Sequence, residues 1–301
     1  MNQLLLQKLR CRKCGRRIEL KYSYLKKSNS IIHGLASCGC TDYPIINGIL
    51  LTVEGEILEK IRKYSSCYSG LLNHCSRIPL FIFGLKTTKF FANFTVFWLW
   101  FTVYFPIKWY IFLMVLLRIW NKQWANRIIR PGFNESDMVA DKHVILNSSI
   151  LDIGCGACDF ELRHIGEIQI VKSVGVDIDL FVLYLVSRYR KLDLNLWWGD
   201  INSLAWWFDA PMFDMGVCID GFQYIRDKSK VLEMVMPVLS KQGSLMLTNI
   251  HLATFFPNMN KFHHALSKED YFKLFSIYKW KLYEQDISKV IHVSLMRKIV
   301  D

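Results

Sequence analysis

LDIGCGACDF, residues 151–160, decides how the chain is read. A hydrophobic strand reaches Asp152 and runs into Gly154 and Gly156, where a backbone without a Cβ can pass close beneath a ligand. Turns of this kind serve nucleotide sites, and they usually carry a third glycine where this chain has Cys158. Alone, the turn leaves three readings open: a pyrophosphate site, a nucleoside site without phosphate, or a relic.

The segments that follow choose among them. From Ser148 onward, short β-branched runs alternate with helical patterns: SILDIG, KSVGVDI, LDLNLWWGD, FDMGVCID and GSLMLTNI. Such alternation predicts an α/β fold around a parallel sheet. VGVDID places Asp177 at the second strand end, where a carboxylate accepts both hydroxyls of a ribose and repels a 2′-phosphate. WWGDINSL, at the third, offers Asp200 for an adenine amino group and Ile201 for an apolar face and a backbone amide. Asp152, Gly154, Gly156, Asp177, Asp200, Ile201 and Cys218 are the expected cofactor-binding residues.

Residues 148–301 as a series resemble the class I S-adenosylmethionine-dependent methyltransferases. LDIGCGACD is similar to that family's first motif, and FDMGVCIDGFQYIRD with VLEMVMPVLSKQGSLMLT is similar to its later pattern. Cys158 and Gln242 stand where the family has glycines, and Tyr224 where it often has histidine. The resemblance implies S-adenosylmethionine as cofactor. It also implies a Rossmann-like seven-stranded sheet with an antiparallel last strand, closed by a hairpin of WKLYEQDI and VIHVSLMRKI. Methyl transfer from a sulfonium depends chiefly on alignment, and a general base matters only for hydroxyl or phenol acceptors. Tyr224 and His251 are the catalytic candidates, with His263 and His264 on the same face. In KFHHALSKEDYFKLF, Ser267 reads as the N-cap of a helix with Asp270 at its third position, similar to a capping box. No N-P-P-Y, D-P-P-Y or Pro-Cys set of the base-modifying enzymes is present.

The N-terminal end carries a second chemistry. Cys11 and Cys14 in CRKCG, with Cys38 and Cys40 in SCGC, have metal-ligand spacing rather than disulfide spacing. The C-x-C pair is tighter than usual, and His33 is the nearest substitute ligand. A fragment of about 50 residues has too small a core to fold alone, so a bound metal would supply stability. CRKCG through DYPIINGILLTV resembles the zinc ribbon of the small activator protein that partners tRNA and rRNA methyltransferases. Tyr43, Pro44, Ile45, Gly48 and Ile49 match, and Leu50 replaces the usual proline. Similar ribbons precede the catalytic domain of ribosomal RNA guanine-N1 methyltransferases. The resemblance implies structural zinc on Cys11, Cys14, Cys38 and Cys40.

Charge is unevenly placed along the 301 residues. Most of the net +12 comes from residues 1–89, a net of +10 with 15 Lys/Arg against 5 Asp/Glu, while residues 90–147 add +3 and residues 148–301 hold 17 against 18. A basic N-terminal end suits phosphate, on RNA or on anionic lipid. Between the two ends, Phe90 through Ile107 is an 18-residue run without charge, at the threshold for a membrane span. Pro106 and Lys108 break the wider segment 78–120, and basic residues flank it on both sides. This predicts a monotopic anchor on a cytosolic membrane face, or a helical cap over a hydrophobic pocket. Residues 1–55, 56–147 and 148–301 are the expected units.

The leading expectation is a methyltransferase acting on a lipophilic small molecule (a quinone, polyketide or lipid-linked intermediate) at a membrane surface. The second is an RNA base methyltransferase gripping phosphates with the ribbon. The third is a non-catalytic scaffold, motivated by Cys158 and Gln242. Nine cysteines and no leading signal pattern point to a reducing, cytoplasmic setting.

Overall fold

A computed structural model describes residues 1–52 apart from 28 and 47, together with 139–178, 182–183, 186–187, 194–203, 206–208, 211–255, 264–286 and 290–296. Segment 78–120 lies outside the described residues.

The N-terminal unit contains α1 (Gln3–Leu6), β1 (Leu9–Cys11), β2 (Glu19–Lys27), β3 (Ser30–Ser37), β4 (Asp42–Ile46) and β5 (Ile49–Leu51). The C-terminal unit begins with β6 (Ile150–Ile153), α2 (Asp159–Arg163), β7 (Val174–Asp177), β8 (Asn195–Trp198) and β9 (Trp206–Phe208). It continues with β10 (Phe213–Ile219), α3 (Lys228–Val235), β11 (Leu239–His251), α4 (Lys268–Phe275), β12 (Lys279–Asp286) and β13 (Val290–Met296).

Seven strands follow the order β8-β7-β6-β10-β11-β13-β12. The first five are parallel, and β13 runs antiparallel between β11 and β12. This is the Rossmann-like seven-stranded sheet with an antiparallel strand that the sequence leads one to expect, and the expected closing hairpin is β12 with β13. Strand order reverses between β6 and β10, so a crevice opens at their carboxyl ends, where α/β sheets hold ligands. All four residues of β6 and of β8 are buried, because both faces of a central parallel sheet are covered.

The N-terminal unit is joined to this sheet. β5 pairs in parallel with β8, matching Leu50 with Trp197, and Thr52 donates both its amide and its hydroxyl to the Trp198 carbonyl. The sheet thereby continues through β4, β3 and β2 to eleven strands. β1 also pairs antiparallel with β9. Leu6, Leu9, Ile18 and Tyr43 share one buried cluster with Trp197, Phe208 and Phe213, and the Trp197 ring stacks on Phe208 at 5.1 Å. The core that a fragment of this size lacks is therefore supplied by the neighbouring sheet edge as well as by any metal. The sequence treats the ribbon as self-contained because strand pairing across 146 residues leaves no local signal.

Candidate functional site

The cofactor turn sits at the strand-order reversal. Gly154 has φ +73°, and a Cβ there would lie 3.9 Å from the Gly221 Cα, so the loops after β6 and β10 approach backbone to backbone. Gly154 and Cys155 both donate to the Val176 carbonyl, which ties the turn to β7. Asp177, at the end of β7, accepts from the Gly156 amide at 2.8 Å. The predicted pair of turn glycine and acidic strand end is thus one hydrogen-bonded unit.

Cys158 adopts left-handed backbone, φ 53° and ψ 41°, and is fully buried. In the sequence it stands where the similar family has a glycine. The structure adds that this position requires the conformation glycine adopts freely, at roughly 1–2 kcal/mol for any other residue. Gln242 is different: it sits where β11 departs from regular pairing with β10, between Leu239 and Ser244, but it has no positive φ, so the missing glycine carries no left-handed backbone penalty there.

The remaining predicted residues divide. Asp152 and Cys218 are buried on β6 and β10. Burial, reinforced by Asp152, Asp220 and Asp177, pushes the Cys218 thiol well up, so it floors the crevice as a neutral group. Asp200 accepts from both the amide and the side-chain nitrogen of Asn202, at 2.9 and 2.7 Å. Asn202 in turn accepts from the Asp227 amide, linking the loops after β8 and β10. Ile201 is buried in the same turn. Tyr224 is 47% exposed on the rim; burial of part of its ring, with Asp220 nearby, raises its hydroxyl, which makes it a poor base. His251 meets Asp220. His263 lies outside the described residues. The His264 amide donates to the Gln223 carbonyl, and Ser267 caps α4 by accepting from the Asp270 amide.

Several participants carried no sequence signal. Lys228 is buried and donates to the carbonyls of Ile225, at 2.6 Å, and His264, pinning the loop before α4 to the turn after β10. Burial lowers its ammonium to about 8. Glu161 is fully buried beside Asp152, and burial pushes it up to about 7. Both look like helix-surface residues in the sequence; only the packing of α2 and α3 turns them inward.

The four N-terminal cysteines converge as expected. Their sulfurs all lie within 4.8 Å of one another, with Cys38 to Cys40 at 3.1 Å and Cys40 to Cys11 and Cys14 at 3.5 Å. A tetrahedron with metal–sulfur bonds of about 2.3 Å has edges of roughly 3.8 Å, so the thiols fit one tetrahedral ion. The donor set contains no histidine. The Arg16 side chain beside Cys14 holds that thiol down at about 6, whereas burial pushes Cys38 up to about 12. Arg16 reaches across Gly39, where a Cβ would stand 3.0 Å from its Nη1. An open basin beside the cluster is lined by Arg10, Arg16, Arg17 and Lys21, and Lys21 is paired with Asp42 at 3.1 Å.

No protein-family model and no curated protein matches the sequence. The fold is similar to solved structures at low identity. One is the YcgJ protein of Bacillus subtilis, at 16% identity and TM-score 0.44, over 54% of this chain and 97% of that one. A second is an S-adenosylmethionine-dependent methyltransferase of Clostridium acetobutylicum, at 15% and 0.46, over 57% and 96%. A third comes from the complex between the Haloferax volcanii Trm112 methyltransferase activator and the putative methyltransferase, at 15% and 0.46, over 60% and 96%.

Proposed function

We propose that this chain is an S-adenosylmethionine-dependent methyltransferase with structural zinc, acting on a lipophilic small molecule at a membrane surface. The observation that carries the reading is the Asp177–Gly156 unit at the β6/β10 crevice. A ribose-sized diol can exchange for the amide at the Asp177 carboxylate, while the cradle at Gly154 leaves backbone room beside it. No basic side chain for a pyrophosphate stands in the turn itself. When bound, the cofactor supplies a sulfonium-activated methyl group. Asp177 would hold the ribose, Asp200 and Ile201 would border the adenine, and the negative charge of Asp152 and Asp220 suits a cationic ligand. Lys228 and the Asn202–Asp227 link keep the loops around the crevice in register.

The lipophilic acceptor is supported by the rim. Ile178, Tyr224 and Phe255 follow β7, β10 and β11 at one sheet edge and are 59%, 47% and 47% exposed. The charge-free run 90–107 supplies a further apolar surface in the sequence. No described helix is long and apolar enough to cross a membrane, and the proposed anchor falls in residues 78–120. An RNA acceptor fits less well, because Arg16 and Lys21 in the basic basin are engaged by Cys14 and Asp42.

Titration calorimetry with S-adenosylmethionine tests the reading. The full chain should bind, and Asp177→Ala should weaken binding by roughly 10–100-fold, the worth of a charge-assisted hydrogen-bond pair. No binding by the wild-type protein would make the fold a scaffold.

A further inference from the structure

We propose that Asp220 and His251 form a proton-accepting pair at the mouth of the crevice, and that the acceptor is accordingly an O–H compound, a lipophilic phenol. This deepens the methyltransferase reading and rests on it.

The pair is assembled by the ends of adjacent parallel strands. His251 Nε2 stands 3.4 Å from Asp220 Oδ1, with the two side chains 13% and 31% exposed. Gln223 Nε2 donates to the same oxygen at 2.8 Å, and the Asp220 amide donates to the Thr248 carbonyl at 3.0 Å. Asp220 is therefore held from both its backbone and its side chain.

Two backbone irregularities place the groups. Asp220 has φ 53° and Asn249 has φ 54°, left-handed conformations that Asp and Asn adopt most readily after glycine. The β11–β13 register slips between Leu247 and Ile250, a bulge that spans Thr248 and Asn249. A bulge changes which face the following side chains take, and His251 is the second residue beyond it.

Chemistry follows from the tautomer. With Nε2–H directed at the Asp220 carboxylate, the basic lone pair belongs to Nδ1, and the carboxylate stabilises the imidazolium that forms. The acceptor hydroxyl gives its proton to Nδ1. Its oxygen forms the new bond to the methyl carbon, the carbon–sulfur bond breaks, and that electron pair stays on sulfur. The imidazolium then returns the proton to solvent. Burial keeps His251 below its ordinary value, opposed in part by Asp220, so the imidazole is neutral and accepting at neutral pH. Among the described residues, Asp220 is the titratable group that acts on it, and Tyr224 lies beyond, near Asp220. Across the strand pair His251 faces apolar Val290, and His292 accepts from the neighbouring Asn249 amide. Apo distances in such pairs commonly shorten when the complex forms.

The test uses the full chain, methyl-labelled S-adenosylmethionine, and decylcatechol, decylamine and decanethiol as probe acceptors. The expected result is label in a methyl ether of decylcatechol, with kcat reduced roughly 100-fold or more by His251→Asn and by His251→Gln. Calorimetric affinity for the cofactor should be unchanged in both variants, which also shows that they fold. The wild-type rate should fall as pH drops through the His251 midpoint. In the ligand-free protein, imidazole NMR should place that midpoint below 6.5 and move it lower in Asp220→Asn. Transfer to the amine or thiol alone, transfer to none of the three with cofactor bound, unchanged rates in the variants, or a midpoint indifferent to Asp220→Asn would each overturn the proposal. If the cofactor does not bind, the methyltransferase reading itself fails, and calorimetry tells the two failures apart.

Discussion

Two turns in this molecule are built from cysteine and glycine, and they put the same residue types to opposite use. Around Cys11 and Cys14 four sulfurs converge beside a basic surface: Cys14 and Cys40 open onto it while Cys11 and Cys38 are buried. Gly15 has φ +68° with nothing within 4 Å of where a Cβ would stand, and Arg16 draws Cys14 toward thiolate. Around Gly154 the thiols are sealed. Cys155 and Cys158 lie inside the fold, and burial drives Cys155 well above its ordinary value. Buried thiols occur in both turns: those that converge with exposed thiols beside a cation complete a ligand set, and those sealed behind Gly154 only pack the fold. Spacing hints at the difference, and the environment decides it.

Metal removal breaks the comparison most strongly. Cys11→Ser, or chelation of the wild-type chain, should abolish metal binding and lower the unfolding midpoint by an amount equivalent to several kcal/mol. Because β5 lines the edge of β8, the loss should reach the Leu196 and Trp198 amides, which point toward β5, as faster hydrogen exchange. In the metal-free protein, iodoacetamide should modify Cys14 first and leave Cys155, Cys158 and Cys218 intact until global unfolding. Labelling of Cys158 at the rate of Cys14 would erase the distinction.

Glu161→Gln sharpens the sealed side. The folded carboxyl titrates at about 7 and the unfolded one at 4.5, so the unfolded chain sheds its proton first. Stability from this group is whole below pH 4.5, declines as pH rises toward 7, and stays low above that. Asp152, Asp159 and Arg163 are the charged groups around it. Glu161→Gln should therefore stabilise the protein above pH 7, by on the order of 2–3 kcal/mol, and change little at pH 4. Urea melts at the two pH values check this; equal effects at both would remove the buried charge from the account.

The smallest effect belongs to Cys158→Gly. Relief of the left-handed backbone, roughly 1–2 kcal/mol, is offset by loss of a buried thiol and by the greater freedom of glycine in the unfolded chain. A net gain below about 1 kcal/mol is expected by thermal melting. A large loss would mean that the thiol packing outweighs the strain.

The strands β6, β7, β8 and β10 were legible because each is a short apolar run followed closely by Gly or Asp, and the hydrogen bond that carries the proposed site joins two of those closures. Asp220 was visible inside FDMGVCIDGFQYIRD yet had no marked role. Its partner is 31 residues away on another strand, and only the register of β10 against β11 brings them together. Lys228 and Glu161 were hidden for a related reason. On an eight- or five-residue helix a charged residue reads as solvent-facing until the packing shows which side is covered.

By itself, the sequence determined the α/β class, the turn at Gly154 and Gly156, the acidic end at Asp177 and the four converging cysteines. These depend on local pattern, on residue chemistry and on spacings of a few residues. Tertiary structure alone decided that β5 extends the sheet of β8, that Cys158 sits in left-handed backbone, and that His251 faces Asp220. Those facts depend on strand register and on which faces are buried, and both arise from interactions between parts of the chain far apart in sequence.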